Sequence, residues 1–300
     1  MNVENRHAYL IVAYNNWNIL AKQILLLDYF ANDIYILVDE KSKDFKEEYI
    51  PKCKYSKVYV MDRMKIYWAE YSQVKAMLNM MHAAMENEKK FGISYTYFHF
   101  FSGTCLPIKS QKYIHEYCDQ CQKEFIGIVP REFWYSTKRV KFYWFFLNSV
   151  HYKPHKSVKA FSRVLAWMQK LIGIDRLSKY DGIIYNGWDW ASITHDFADY
   201  LIDKENMISA MFTKTLCPSE LWLHTLAYNS KFKDCLYDVS DLRKGSMRYI
   251  DWERGRPYTW GRDSGDFELL MDSPYFFARK FDEKVNMDIV ERIFETFYED

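Results

Sequence analysis

Glu220 stands in the run PSELW, where a proline opens a helical pattern. A carboxylate there suits the positive end of a helix. In a cleft the same group can act as a general base, taking the proton from a hydroxyl. Asp39 closes an apolar run, IYILV, and a carboxylate ending a buried strand needs a polar partner. Metal chemistry finds less support. Asp238 and Asp241 form DVSD, the wrong spacing for a DxD pair. Asp189 lies in a tryptophan-rich stretch, DGIIYNGWDW, without a second carboxylate nearby. Cys118 and Cys121 make one CxxC, but a zinc site needs two more ligands at suitable spacing. The pair reads as structural, and no metal is expected.

The elements that must position these groups follow from periodicity. Residues 7–13 (HAYLIVA), 34–38, 57–61 and 96–101 read as strands. Residues 17–30 and 72–88 read as helices, the second with Val74, Met77, Leu78, Met81 and Met85 on one face. This order predicts an α/β fold with right-handed crossovers, whose ligands bind at the carboxyl ends of the strands. Tyr14, Asp39 and the turn from Ser102 to Cys105 should then face one crevice. Residues 181–190 read as a loop and 192–204 as a helix. Another helix is expected over 219–227, a strand over 247–252, an irregular basic loop to Gly265, and helices after it. Residues 131–179 are basic and aromatic, with an amphipathic helix over 161–171. That helix is expected to lay a solvated basic face over a core stripe.

Bulk properties narrow the field. The chain has 300 residues, 27% of them charged, with a net charge of +1, so no global field argues for nucleic acid. Aromatic residues make up 19%, including 25 Tyr and 10 Trp, and some can serve as platforms for sugar rings. No apolar stretch approaches the roughly 18 residues that span a bilayer. The N-terminal run lacks the features of a signal peptide, and the six cysteines suggest reduced thiols. A bacterial, cytoplasmic protein is the expectation, with peripheral association at the inner membrane face compatible with it.

Eight segments, in order, resemble the core-2/I-branching β-1,6-N-acetylglucosaminyltransferase family, which includes peptide O-xylosyltransferases. They begin with AYLIVAYNNW, DIYILVDEKS, YWAEYSQVKAMLNMM and YFHFFSGTCLPIKS. They continue with NGWDWASITHDFADYLI, CPSELWLHTLAYNSKF, RYIDW and FFARKFDEKVNMDIV. The resemblance implies a GT-A-type fold, with a mixed, mostly parallel sheet flanked by helices. It implies one glycosyltransferase domain over 1–300, with a nucleotide-binding half (1–125) and an acceptor-binding, catalytic half (126–300). The implied reaction is inverting transfer from a UDP-sugar, foremost UDP-N-acetylglucosamine, to a hydroxyl of a glycan or glycolipid in polysaccharide assembly. A xylosyl or other UDP-sugar specificity on the same fold is the alternative, as is an inactive carbohydrate-binding protein.

Roles follow the same resemblance. Glu220 falls at the family's catalytic glutamate. Lys280, in FARKFD, matches the lysine that contacts the diphosphate, with Arg256 or Arg262 as its partner in place of a metal. Val12, Tyr14, Asp39 and Tyr67 fall where the uridine is held. Trp188 and Trp190 fall in the segment that borders the acceptor, and Glu132, outside the matched segments, is a further candidate to bond its hydroxyls. One departure stands out: Cys105 occupies a position where the family often has Asp, which puts donor preference in question.

Overall fold

The computed structural model describes residues 5–129 and 134–298. Its main sheet has six strands: β1 (Arg6–Ala13), β2 (Asn32–Val38), β3 (Lys57–Val60), β4 (Tyr95–Ser102), β6 (Phe125–Ile128) and β7 (Gly187–Thr194). Three more make a small sheet: β5 (Cys105–Pro107), β8 (Arg248–Ile250) and β9 (Phe277–Arg279). The orders are β3-β2-β1-β4-β7-β6 and β5-β9-β8. The strands β1 to β4 pair in parallel, whereas β7 runs antiparallel to both β4 and β6. The fold is therefore α/β, with the expected mixed, mostly parallel sheet. Strands from both sides of residue 125 share it.

The near-continuous apolar character of β1 has a direct cause. Ala8 and Leu10 face a core layer that includes Val74, Met77 and Met81 of the helix Ser72–Phe91. Tyr9, Ile11 and Ala13 face the opposite layer, with Leu20 and Ile24 of the helix Trp17–Leu26 and Ile114 and Cys118 of the helix Gln111–Cys121. A strand covered on both faces needs no polar side. The CxxC pair belongs to this packing, Cys118 being buried and Cys121 partly so, and all six cysteines are free. A third cluster, built from Leu106, Trp260, Phe281 and Ile293 among others, fixes the small sheet beside the large one.

Several sequence expectations need correction. The largest concerns residues 181–204: 187–194 form the inner strand β7, and the helix starts only at His195. Gly187 permits this by its missing side chain, since a Cβ there would lie 1.8 Å from the Gly127 carbonyl oxygen of β6. Thr194 then ends the strand by accepting from Phe197 N–H as the helix cap. The first helix stops at Leu26, not 30, because the chain must turn into β2 at Asn32. Residues 218–220 form a 3₁₀ turn, and the regular helix follows at Trp222–Tyr228. Past Gly265, β9 separates two helices, Asp266–Met271 and Asp288–Phe297. In the helix Lys156–Leu171 the buried residues are Ser162, Ala166 and Gln169, so the expected core stripe faces solvent.

Arg248 ties the two sheets together. It is 2% exposed and donates to the carbonyls of Ala191 and Phe100 and to the Ser192 hydroxyl. Burial pulls its guanidinium down to about 9. The end of β7 is thereby held in place next to the cleft described below.

Candidate active site

A cleft of about 390 Å³ opens at the carboxyl ends of β1, β2 and β4. One wall carries Val12 and Tyr14 after β1, Asp39 after β2, and Tyr67 from the segment before the helix Ser72–Phe91. Asp39 is buried and its carboxylate is well satisfied. It accepts from Lys41 N–H at 3.0 Å, Ile66 N–H at 3.3 Å and the Lys41 ammonium at 2.5 Å. The same ammonium lies 4.7 Å from the Tyr67 ring centroid. Lys41 thus locks Asp39 and Tyr67 into one rigid wall.

The facing wall carries Asp189, Trp190, Ser219, Glu220 and Arg279. Asp189 and Trp190 are successive residues of a strand, yet both line the cleft. The register between β6 and β7 shifts in this stretch, and a bulge re-aims side chains in this way. His224 supports the bulge: its Nε2 lies 3.0 Å from the Trp188 carbonyl. Burial lowers its pKa to about 3, so the ring is neutral and Nε2 carries the proton it donates.

Glu220 ends the 3₁₀ turn Pro218–Glu220. Arg139, from the helix Trp134–Lys141, sits beneath the turn. Its Nε donates to the Leu216 carbonyl at 2.8 Å, and one Nη donates to the Cys217 carbonyl. The same Nη2 lies 2.8 Å from Glu220 Oε2, and the Arg139 side chain is 6% exposed against 42% for Glu220. Burial raises the Glu220 pKa, Asp189 raises it further, and Arg139 opposes both. Asp189 is also raised, first by burial, while Ser219, Arg279 and Arg139 favour its charged form. Its Oδ1 is buried with no hydrogen-bond partner. Asp189 therefore does have a carboxylate neighbour, Glu220, brought close by the fold and not by sequence. Arg279 completes the wall, its guanidinium 4.7 Å from the Trp190 ring and 3.4 Å from the Ser102 hydroxyl.

Of the residues singled out from sequence, Val12, Tyr14, Asp39, Tyr67, Trp190 and Glu220 meet in this cleft. Trp188 lies just outside its lining. Lys280 follows Arg279 at the end of β9 and is half-buried, its carbonyl accepting from Trp260 N–H at 3.0 Å. Arg256 and Arg262 are exposed on the loop 251–265, and Arg262 borders a separate hollow of about 280 Å³ with Asp263 and Arg292. Arg254 is tied to Asp251, Asp263 and Asp266. Glu132 lies outside the described residues. Cys105 is buried, its sulfur 3.2 Å from the Ser102 hydroxyl, and takes no part in the cleft lining. Among the described residues no three His, Cys, Asp or Glu converge as metal ligands.

Sequence reading missed four contributors: Lys41, Arg139, Asp189 as a member of a pair, and Arg279. Arg279 alone had a signal, being the residue before Lys280 in FARKFD.

The cleft thus lies at the carboxyl ends of parallel strands, with paired carboxylates on one wall and basic side chains on both. The sequence profile of the Core-2/I-Branching enzyme family matches residues 7–265, and the chain belongs to that family. The chain is similar to "Xylosyltransferase sqv-6" of Caenorhabditis briggsae, with 33% identity over 125 residues covering 36% of this chain and 16% of that one. It is also similar to "Xylosyltransferase 2" of Rattus norvegicus, with 24% identity over 310 residues covering 95% and 33%. It therefore spans between a sixth and a third of the length of these relatives. Among solved structures, the apo form of mouse xyloside xylosyltransferase 1 aligns over 94% of this chain and 99% of that one, with a TM-score of 0.43 and 8% identity.

Proposed function

We propose that the protein transfers a sugar from a UDP-sugar to a hydroxyl of a glycan or glycolipid, with inversion and without a metal. The observation that carries this reading is the division of the cleft. A rigid wall of Asp39, Lys41 and Tyr67 faces a wall of Asp189, Glu220 and Arg279. Uracil and ribose lie against the first wall, with Tyr67 stacking on the base. The acceptor hydroxyl meets Glu220, which takes its proton as the oxygen bonds to the anomeric carbon. The bond from that carbon to the diphosphate breaks, and UDP departs with the electron pair. Arg279 and Lys280 offset the charge on the diphosphate, the role a metal fills elsewhere. Trp190 offers an aromatic face to the acceptor.

A second assignment of the base has one observation behind it: Asp189 Oδ1 is buried without a partner, whereas Glu220 is paired with Arg139. For the donor, family membership favours UDP-N-acetylglucosamine, and similarity to xylosyltransferases favours UDP-xylose.

Calorimetric titration of UDP and a panel of UDP-sugars in EDTA tests the proposal and ranks the donors. UDP should bind without metal, and Arg279→Ala or Lys280→Ala should weaken it by roughly 10- to 100-fold, the worth of a charge-assisted hydrogen bond. Binding that appears only with manganese would end the metal-free mechanism. An absence of binding in both conditions would leave an inactive carbohydrate-binding protein.

A further inference from the structure

The helix Lys156–Leu171 buries its polar side. Ser162 Oγ donates to the Phe145 carbonyl at 3.0 Å, and Gln169 Nε2 donates to the Tyr143 carbonyl at 2.8 Å. The large apolar side chains point the other way. Phe161, Val164 and Met168 are exposed, Trp167 is 58% exposed, Leu171 66%, and Ile172 just beyond 74%. At 3.6 residues per turn these side chains cover an arc of about 140°. Lys156, Arg163 and Lys170 border the arc on one side, exposed and without an ion pair among the described residues. From residue 134 to residue 174 the chain has eight Lys or Arg and no Asp or Glu. The near-neutral total hides this local field.

An exposed apolar face of this size is unfavourable in water unless something covers it. We propose that it lies on a bilayer surface containing anionic phospholipids. The apolar side chains enter the boundary between headgroups and acyl chains, and the Lys and Arg rim meets the phosphates. The charge selects this occupant. A second copy packed antiparallel would set one basic rim against another, which repels. Nucleic acid would use aromatic platforms set along a basic groove, whereas here Phe161 and Trp167 are interleaved with Val164, Met168, Leu171 and Ile172, which have no π-face to offer.

The location adds to the argument. Phe146 extends the face, its ring 5.8 Å from that of Phe161. On the other side Lys159 lies 5.2 Å from the ring of Trp68, and Trp68 and Val150, both exposed, line the cleft. The bound face thus adjoins the cleft mouth, where a lipid-carried acceptor would enter. That last step rests on the transferase reading; the membrane contact does not.

Vesicle flotation tests it, with phosphatidylcholine alone and with equal parts of phosphatidylcholine and phosphatidylglycerol. Wild type should float with the mixed vesicles and about 10-fold less with phosphatidylcholine alone, as expected where several basic residues each add to binding. Trp167→Glu/Leu171→Glu should lose flotation while keeping the far-UV circular dichroism and cooperative melt of wild type. Should that variant misfold, Lys156→Gln/Arg163→Gln/Lys170→Gln keeps the apolar face and should still lose the preference for mixed vesicles. Equal flotation of wild type and both variants, or none by wild type, would overturn the proposal. So would a concentration-dependent dimer, or oligonucleotide binding, that the Trp167/Leu171 variant abolishes.

Discussion

Asp39 and Asp189 face the same cleft, and the fold treats them in opposite ways. Asp39 is surrounded by donors: an ammonium and two backbone N–H groups. Asp189 has one buried oxygen with no partner and a carboxylate for a neighbour. A satisfied carboxylate is fixed in position and charge, which suits holding a ligand in register. An unsatisfied one beside a second acid is held at a cost in stability, and such groups mark sites where protons move. On the proposed mechanism the two walls divide the work, with recognition on the Asp39 side and proton transfer on the Asp189–Glu220 side.

Substitution should separate the two kinds of wall. Glu220→Gln should lower turnover, read as UDP released from the best-bound donor, by about 10²- to 10⁴-fold, the usual share of a general base. Its affinity for UDP should stay the same. Asp39→Asn should act the other way, raising KM by roughly 10-fold through a lost charge-assisted bond while kcat changes little. Equal effects of both on kcat would dissolve the distinction.

A smaller effect should appear in stability. The Asp189 pKa is raised in the folded state. The unfolded chain therefore ionises it first, near pH 3.9. Folding loses stability as pH rises from there through the folded-state value, and the loss persists above it. Asp189→Asn should then raise Tm at pH 7 by about 1–2 °C, the shift that about 1 kcal/mol gives a domain of this size. The gain should vanish below about pH 4, where Asp189 is protonated in both states. Thermal melts across pH check this, and a lower Tm for the variant at pH 7 would show that Asp189 stabilises the fold.

Much of the recognition wall was legible in sequence. Asp39 ends an apolar run, and a strand of that kind presents its carboxyl end to the crevice. The proton-transfer wall was less so. Asp189 was visible as a residue, but its partner lies 31 positions away, and only the bulge in β7 turns it toward Glu220. Arg139 lies in a basic run where it looks like any surface charge, and only the fold puts it beneath Glu220. The strand β7 was itself misread, because DGIIYNGWDW carries turn residues and tryptophans in place of a plain alternation. The helix Lys156–Leu171 was read correctly as amphipathic and wrongly as to which face is buried. Periodicity gives the stripe, but not the side on which the rest of the protein lies.

The central claim is that Glu220 is the base and Asp189 its electrostatic neighbour. The pH dependence of kcat/KM for wild type, Glu220→Gln and Asp189→Asn tests it most directly. A base works when ionised, so the rate rises with pH through the pKa of the base. The wild-type acid limb should lie above the ordinary glutamate value of about 4.3, since burial and Asp189 both raise Glu220. Asp189→Asn should keep most of the turnover and move that limb to lower pH, because a neighbouring negative charge has gone. Glu220→Gln should lose both the turnover and the limb. If Asp189→Asn is the inactive variant, and Glu220→Gln remains active with its limb displaced downward, the base is Asp189 and the claim is wrong.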